Sequence, residues 1–370
     1  MLIQLLREWP PGFGGVERTA HEWAEAFKHS DIFCLASPSV QPDPLPVAYG
    51  RWCLPILRIA KLRIPLPIGS FWKLVLSPQH LHGHLPSPAV LFLVLLLQLL
   101  QPRRSFSLHW HAFLQGWANR AYQLIALKLL RWRQLTVITT SPVLKQALIT
   151  RGLKAQQVLV LACCLSAPGE ALASHMHENR KICSAPVKIS SNPINIVCIG
   201  RLDSYKRIDW VIKAVVLCRP HFRLVIIGDG PDRARLESLV SDKCADQFCK
   251  FLGKLSEAMK FEALGKADLL VLASHNCHEA FGIAQLEAMA CGVPALALAC
   301  PNSGSTWVSN VPSMPIWNQP GAEALADVLR TFSADPKLLK LAAQQAKDRY
   351  DNVFCRRLWQ EQLLSLGIAN

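Results

Sequence analysis

The chain has 370 residues, 51% of them hydrophobic, with 40 Lys+Arg against 26 Asp+Glu and a formal net charge of +14. At ~150 residues per domain it is too long for one ordinary domain and suggests two. Its 13 cysteines form no CxxC pair and no His/Cys spacing of a zinc site, which excludes a disulfide scaffold or zinc finger and fits free thiols in a reducing cytoplasm.

Leu2 to Arg7 reads as an opening strand without the basic n-region or cleavage site of a signal peptide. The loop Trp9 to Arg18 then leads into a helix over Val16 to Lys28, on which Val16, Ala20, Trp23, Ala24 and Phe27 recur at helical spacing. Gly14-Gly15 at its start exposes backbone amides suited to an anion, although a plain turn is the commoner meaning of such a pair. Asp31 to Ser37 forms a second strand. A proline-rich excursion from Pro38 to about Pro67 follows, read as a loop and an amphipathic piece carrying Arg51, Arg58, Lys61 and Arg63, with Lys73 beyond it.

No acidic residue lies between Asp43 and Glu170, an interval holding 14 Lys+Arg mixed with Trp52, Leu54, Ile56, Phe71 and Trp72. Residues 1–185 hold 19 Lys+Arg and 8 Asp+Glu, whereas 186–370 hold 21 and 18, so the excess charge belongs to the first half. That composition suits an anionic lipid surface or a polyanionic ligand. Nucleic acid is disfavoured, because there is no RNP motif, zinc knuckle or basic zipper. Ala89 to Leu100 is apolar but falls short of the ~20 residues that span a bilayer, and reads as a buried helix.

Ser105 to Leu108 makes a strand that ends in His109-Trp110-His111. Two histidines at i, i+2 could ligate a metal, but the third ligand would have to come from elsewhere and no acidic residue is near in sequence; the ordinary reading is structural, and no metal is expected. Arg120 to Arg133 is a basic amphipathic helix with Leu124, Leu127 and Leu130 on one side. Leu135 to Thr139 and Val158 to Ala162 are strands, and Thr140-Ser141-Pro142 caps a helix between them. Cys163-Cys164 reads as buried, and the polar interval Ser166 to Asn192 as containing a linker.

A strand–helix alternation then restarts, the mark of a second doubly wound sheet. Ile194 to Ile199 is a strand whose loop, Gly200-Arg201-Leu202-Asp203-Ser204-Tyr205-Lys206, opens a helix through Leu217. Two cations beside helix-start amides can hold a diphosphate. Phe222 to Ile227 and Phe248 to Leu252 are strands, Ser256 caps a helix, and no GxGxxG follows the first strand, against a dinucleotide dehydrogenase. Ala267 to Pro294 reads as a buried strand, a polar loop and a helix with Ile283, Leu286 and Ala290 on one face, a left-handed cap at Gly292 and a stop at Pro294. Glu279, Phe281, Gly282 and Glu287 thus fall at a ligand-binding sheet edge. The glutamates suit ligand hydroxyls, and the amides near Gly282 suit an anion. Val293 to Leu298 is a strand, and Glu323 to Phe332, Lys337 to Arg349 and Phe354 to Leu366 are helices.

Glu279-Ala-Phe-Gly-Ile-Ala-Gln-Leu-Glu287, followed by Ala288-Met289-Ala290-Cys291-Gly292-Val293-Pro294, strongly resembles the signature of retaining GT-B glycosyltransferases of glycosyltransferase family 4. The resemblance implies two Rossmann-like α/β domains facing a central cleft. The expected division is an acceptor-side domain at 1–185, a donor-binding domain at 186–345, and a terminal helix at 346–370 crossing back to the first domain. It implies transfer of a hexose-type sugar from a nucleoside diphosphate sugar to a hydroxyl acceptor, with a lipid-linked or cell-surface polysaccharide precursor as the expected acceptor. It assigns Arg201 and Lys206 to the leaving diphosphate, Glu279 and the amides of Phe281, Gly282 and Ile283 to the sugar, and Glu287 to the ribose. Gly14-Gly15-Val16-Glu17 matches the family's cleft-lining string, and His111, with His109 as the alternative, faces the sugar from the first domain. No cofactor or metal is expected. The location expected is cytoplasmic, with peripheral contact to the inner face of the plasma membrane. A catalytically silent donor-binding scaffold of the same fold is the alternative. Ala280, and Ala162-Cys163-Cys164 after the last strand of the first half, depart from the family pattern.

Overall fold

The computed structural model describes residues 2–8, 14–27, 29–35, 47–59, 62–183 and 193–368. The chain divides into two units, Met1–Cys163 with Trp359–Asn370, and Cys164–Leu358.

In the first unit β1 (Leu2–Leu6) and helix α1 (Gly15–Ala26) are followed by β2 (Ser30–Cys34), β3 (Gly50–Cys53), β4 (Ile56–Ile59) and β5 (Leu62–Pro65). Next come α2 (Ser70–Leu76), β6 (His80–Leu85), α3 (Pro88–Leu100), β7 (Phe106–Trp110), α4 (Trp117–Arg133), β8 (Thr136–Thr139), α5 (Pro142–Thr150) and β9 (Val158–Val160). Seven strands form a parallel sheet in the order β3-β2-β1-β6-β7-β8-β9. Strand order reverses between β1 and β6, and β1 is apolar at four of its five fully buried positions, as expected when helices cover both faces.

Several expectations need correction here. The proline-rich excursion, expected as a loop and an amphipathic piece, is mostly strand where it is described. β3 extends the sheet beside β2, and β4 and β5 make an antiparallel hairpin with Arg58 opposite Arg63. Prolines mask such strands in sequence because they sit at strand ends and edges. The loop Trp9 to Phe13, Lys28, Ser37, Pro38 to Pro46 and Lys61 lie outside the described residues. α3 is not a wholly buried helix. Val90, Leu91, Leu93, Val94 and Leu97 are buried, but Phe92, Leu99 and Leu100 are exposed, a division that an all-apolar run cannot signal. On α4, Leu127 and Leu130 are buried but Leu124 faces outward, because three-residue steps drift round a 3.6-residue turn.

The second unit holds α6 (Ala167–Cys183), β10 (Ile194–Ile199), α7 (Ile208–Leu217), β11 (Phe222–Ile227), α8 (Arg233–Asp242), β12 (Cys249–Gly253), α9 (Glu257–Gly265), β13 (Leu269–Leu272) and α10 (Ile283–Ala290). It continues through β14 (Ala295–Ala297), α11 (Ser305–Val308), α12 (Ala322–Ala334) and α13 (Pro336–Arg349), and α14 (Arg356–Ser365) begins in it. α6 occupies the stretch read as a linker up to Cys183; residues 184–192 are outside the described ones. This helix is tied down by polar contacts: the Arg180 guanidinium donates to the Gly265 carbonyl at 2.8 Å, and Glu170 accepts from the Tyr350 hydroxyl at 2.7 Å.

The five strands of this unit are parallel in the order β12-β11-β10-β13-β14. Its core includes Ile196, Val211, Val215, Phe222, Leu224, Leu269 and Phe332. Strand order reverses between β10 and β13, so the loops leaving their C-terminal ends diverge and open a crevice, the usual ligand position in an open α/β sheet.

Candidate active site

The switch point of the second unit places the β10 loop beside the β13 loop. Gly200, Arg201, Leu202 and Lys206 line one side of a small open cavity, and Val271 to Ala273 the other. Glycine permits the close approach of the neighbouring β11 loop: a Cβ on Gly228 would lie 1.9 Å from the Gly200 carbonyl oxygen. Leu202 N–H donates to the Asp229 carbonyl at 3.0 Å, and Asp232 N–H to the Leu202 carbonyl at 3.0 Å, which fixes the Gly-Arg-Leu segment.

Lys206 and Glu279, 73 residues apart in sequence, meet in this crevice as a direct ion pair. Their side chains are only 13% and 14% exposed. Burial by itself pushes the Lys206 ammonium down, but the charge of Glu279, with Tyr205 and a hydrogen bond to Glu279 adding to it, leaves it above its ordinary value. Ser274 also donates its hydroxyl to Glu279 at 3.2 Å. The Glu279 loop is anchored from two directions, since Ser303 Oγ donates to the Glu279 carbonyl and His275 N–H donates to the Tyr205 carbonyl at 3.1 Å. Arg201 behaves differently: its side chain is 72% exposed and contacts Asp203 at 3.2 Å. One cation is therefore built in, and the other stands at the mouth.

Gly282 takes the left-handed conformation (φ 79°) at the N-cap of α10, with no side-chain cap on the helix amides. Phe281 is buried against Trp307 and Phe354, and Ile283 is half-buried at the first position of α10. Glu287 is placed deeper than a solvated helix glutamate. It is buried, and Lys260 from α9 reaches it at 2.7 Å while also holding Glu257 at 2.8 Å. Sequence reasoning missed Lys260, and nothing in its local spacing points 27 residues ahead to Glu287.

Two family models match the chain: Glycosyltransferase Family 4 over residues 13–167 and Glycosyl transferases group 1 over residues 179–349. Both are glycosyltransferase models, together they cover most of the chain, and the fold is GT-B. Solved structures share this fold. Anabaena HepE in complex with UDP has a TM-score of 0.76 at 17% identity, covering 99% of this chain and 98% of that one. WaaG, a glycosyltransferase involved in lipopolysaccharide biosynthesis, has 0.66 at 14% identity, covering 99% of both. Among curated relatives, the N-acetyl-alpha-D-glucosaminyl L-malate synthase of Bacillus anthracis is 33% identical over 110 residues, 29% of this chain and 28% of its own. A GDP-mannose-dependent mannosyltransferase of Corynebacterium glutamicum, acting on a monoacylated phosphatidylinositol monomannoside, is 36% identical over 110 residues, 28% of each chain. The matched stretch thus spans under a third of either curated relative.

The remaining residues that the resemblance singles out belong to the first unit. Gly14 is the N-cap of α1 and Gly15 its first residue, so the glycine pair does open a helix. His111 follows β7 and is buried, its Nε2 2.8 Å from Nδ1 of His84. His109 lies on β7 itself, wholly buried, and among the described residues neither ring nitrogen has a hydrogen-bond partner. Sequence reasoning overlooked His82 and His84 beside them. The alternation His80-Leu81-His82-Gly83-His84 was the available signal, since i, i+2 residues of a strand share a face.

Proposed function

We propose that this glycosyltransferase moves a hexose-type sugar, with retention of configuration, from a nucleoside diphosphate sugar to a hydroxyl acceptor. The observation that carries the reading is the Lys206–Glu279 pair at the switch point of the second unit, beside Arg201. A bound donor would divide this pair. The diphosphate takes Lys206 and Arg201, which neutralise the charge growing on the leaving group, and the sugar hydroxyls take Glu279. Glu287, held by Lys260, would accept from the ribose, and the amides of Phe281, Gly282 and Ile283 would complete the sugar site. The reading assigns leaving-group charge to these two cations rather than to a metal ion. HepE has been solved in complex with UDP, which supports a nucleotide-sugar donor here.

The acceptor proposed is a lipid-linked or surface-polysaccharide precursor met at an anionic membrane, with the protein cytoplasmic and peripheral. Among the described residues no helix is long and apolar enough to cross a membrane. α4 instead carries an exposed stripe of Trp117 (85% exposed), Leu124, Ile125 and Trp132 (71%), flanked by Arg120, Lys128 and Arg131. An apolar stripe bordered by cations suits a helix lying in a lipid interface. Release of free nucleoside diphosphate from a panel of nucleotide sugars, with extracted lipid acceptors present, tests the reading. Turnover should appear with one donor and fall ~100-fold or more in Lys206→Ala; full activity in Lys206→Ala or Glu279→Ala refutes the assignment.

A further inference from the structure

The first unit contains a cluster of imidazoles that the transfer reaction does not use as a group. His80, His82 and His84 alternate along β6, and the parallel register sets His84 beside His109 on β7, with His82 beside Ser107. His82 and His109 are 0% exposed and His84 2%. One ring nitrogen from each of these three lies within 4.8 Å of those of the other two.

A hydrogen bond fixes where the proton of His84 sits. Gln4 Nε2 donates to the Ala20 carbonyl at 2.8 Å, so its Oε1 must be the acceptor facing His84 Nε2 at 2.9 Å. His84 therefore carries its proton on Nε2 and presents a lone pair at Nδ1. His82 Nδ1 sits 2.7 Å from Ser107 Oγ, and a proton on that nitrogen leaves Nε2 as a second lone pair. His82 Nε2 and both nitrogens of His109 are buried with no hydrogen-bond partner among the described residues. Leaving such atoms unpaired in the interior is costly, which is hard to account for in a cluster that only packs. Trp23 stacks on the His82 ring with centroids 4.4 Å apart and helps to hold it.

We propose that His82, His84 and His109 form a buried site for a divalent transition metal of the zinc class. Imidazole nitrogens suit zinc, copper and nickel, and Zn–N bonds of about 2.0–2.1 Å require the ligand atoms to converge from their present spacing and the His84 and His109 rings, now parallel to within 5°, to turn toward a common point. The outer partners are of the kind a metal-bound histidine uses: Gln4 accepts from the far nitrogen of His84, and Ser107 Oγ lies between His82 Nδ1 and His80 Nε2 at 2.7 Å from each. Burial first of all, and then in His82 and His84 the neighbouring histidines, keeps these rings neutral, with His109 pushed down to about 3. Neutral rings are the form that binds metal. Coordination at His84 Nδ1 would displace His111, which now faces that atom.

The test is metal uptake by the full chain, independent of any transfer assay. Chelator-stripped protein is incubated with Zn²⁺ or Co²⁺, desalted, and its metal content measured, with the Co²⁺ absorption spectrum as a signature of coordination. The expected result is ~1 equivalent per chain with a Co²⁺–imidazole spectrum, lost in His82→Phe and His109→Phe and weakened ~10–100-fold in Ser107→Ala. Should either phenylalanine variant fail to fold, His109→Gln carries the same expectation. No uptake by the wild type overturns the proposal, as does equal uptake by the histidine variants; in a metal-free cluster, His109→Phe would be as stable as the wild type or more so.

Discussion

Replacing Lys206 by Met and Glu279 by Gln, singly and together, probes whether the crevice pair interacts as its geometry indicates. Unit charges about 4 Å apart attract by ~4 kcal/mol at an effective dielectric of 20, and most of that is offset by desolvation of the two ions. Breaking a fully buried pair from one side costs ~3–5 kcal/mol; the residual exposure of 13% and 14% lowers this here. The expected losses are ~2–3 kcal/mol for Lys206→Met and ~1–2 for Glu279→Gln, which keeps the Ser274 contact. The double variant should lose only ~1–2 kcal/mol, a coupling of ~2 kcal/mol, because no unpaired charge remains. Urea-dependent hydrogen exchange of the β10 and β13 amides reports stability in the right unit. Additivity of the single losses within ~0.5 kcal/mol would show that the two groups do not interact.

The pH dependence of the same pair has a definite sign. The Lys206 ammonium is held above its ordinary 10.5 in the fold, so its contribution is complete below 10.5 and drains away as pH rises through the folded value. Wild type and Lys206→Met should therefore converge in stability only in strong alkali, as measured by urea midpoints across that range. Gly282→Ala must adopt φ 79° and place a Cβ 2.7 Å from Leu272 Cδ2 and 2.8 Å from Gln285 Nε2; it should cost about 2–4 kcal/mol in the same exchange measurement. In flotation, recovery with anionic vesicles should exceed that with neutral ones, and Trp117→Ser with Trp132→Ser should abolish the difference. Equal recovery with both vesicle types would count against the membrane reading.

The second unit was the more legible half of the sequence. Ile194–Ile199 and Phe222–Ile227 match the predicted strands residue for residue, because buried parallel strands are near-continuous apolar runs, interrupted here only by Asn195 and Arg223, and each is closed by glycine. The Glu279–Pro294 stretch carried enough local punctuation to place its loop, its helix and the left-handed Gly292. What sequence could not show is pairing at a distance. Lys206 with Glu279, Lys260 with Glu287, and the β6 histidines with those of β7 are set by strand order and register. α3 hid its exposed edge because its side chains are apolar apart from Gln98, and α6 hid as a helix because its polar face obscures the 3.6-residue period.

The most direct test of the account is the structure of the protein with an unreactive nucleoside diphosphate sugar bound. It should show Lys206 released from Glu279, with Lys206 and Arg201 within ~3 Å of diphosphate oxygens and Glu279 at a similar distance from a sugar hydroxyl. A ligand bound elsewhere, with the Lys206–Glu279 pair intact, would contradict it.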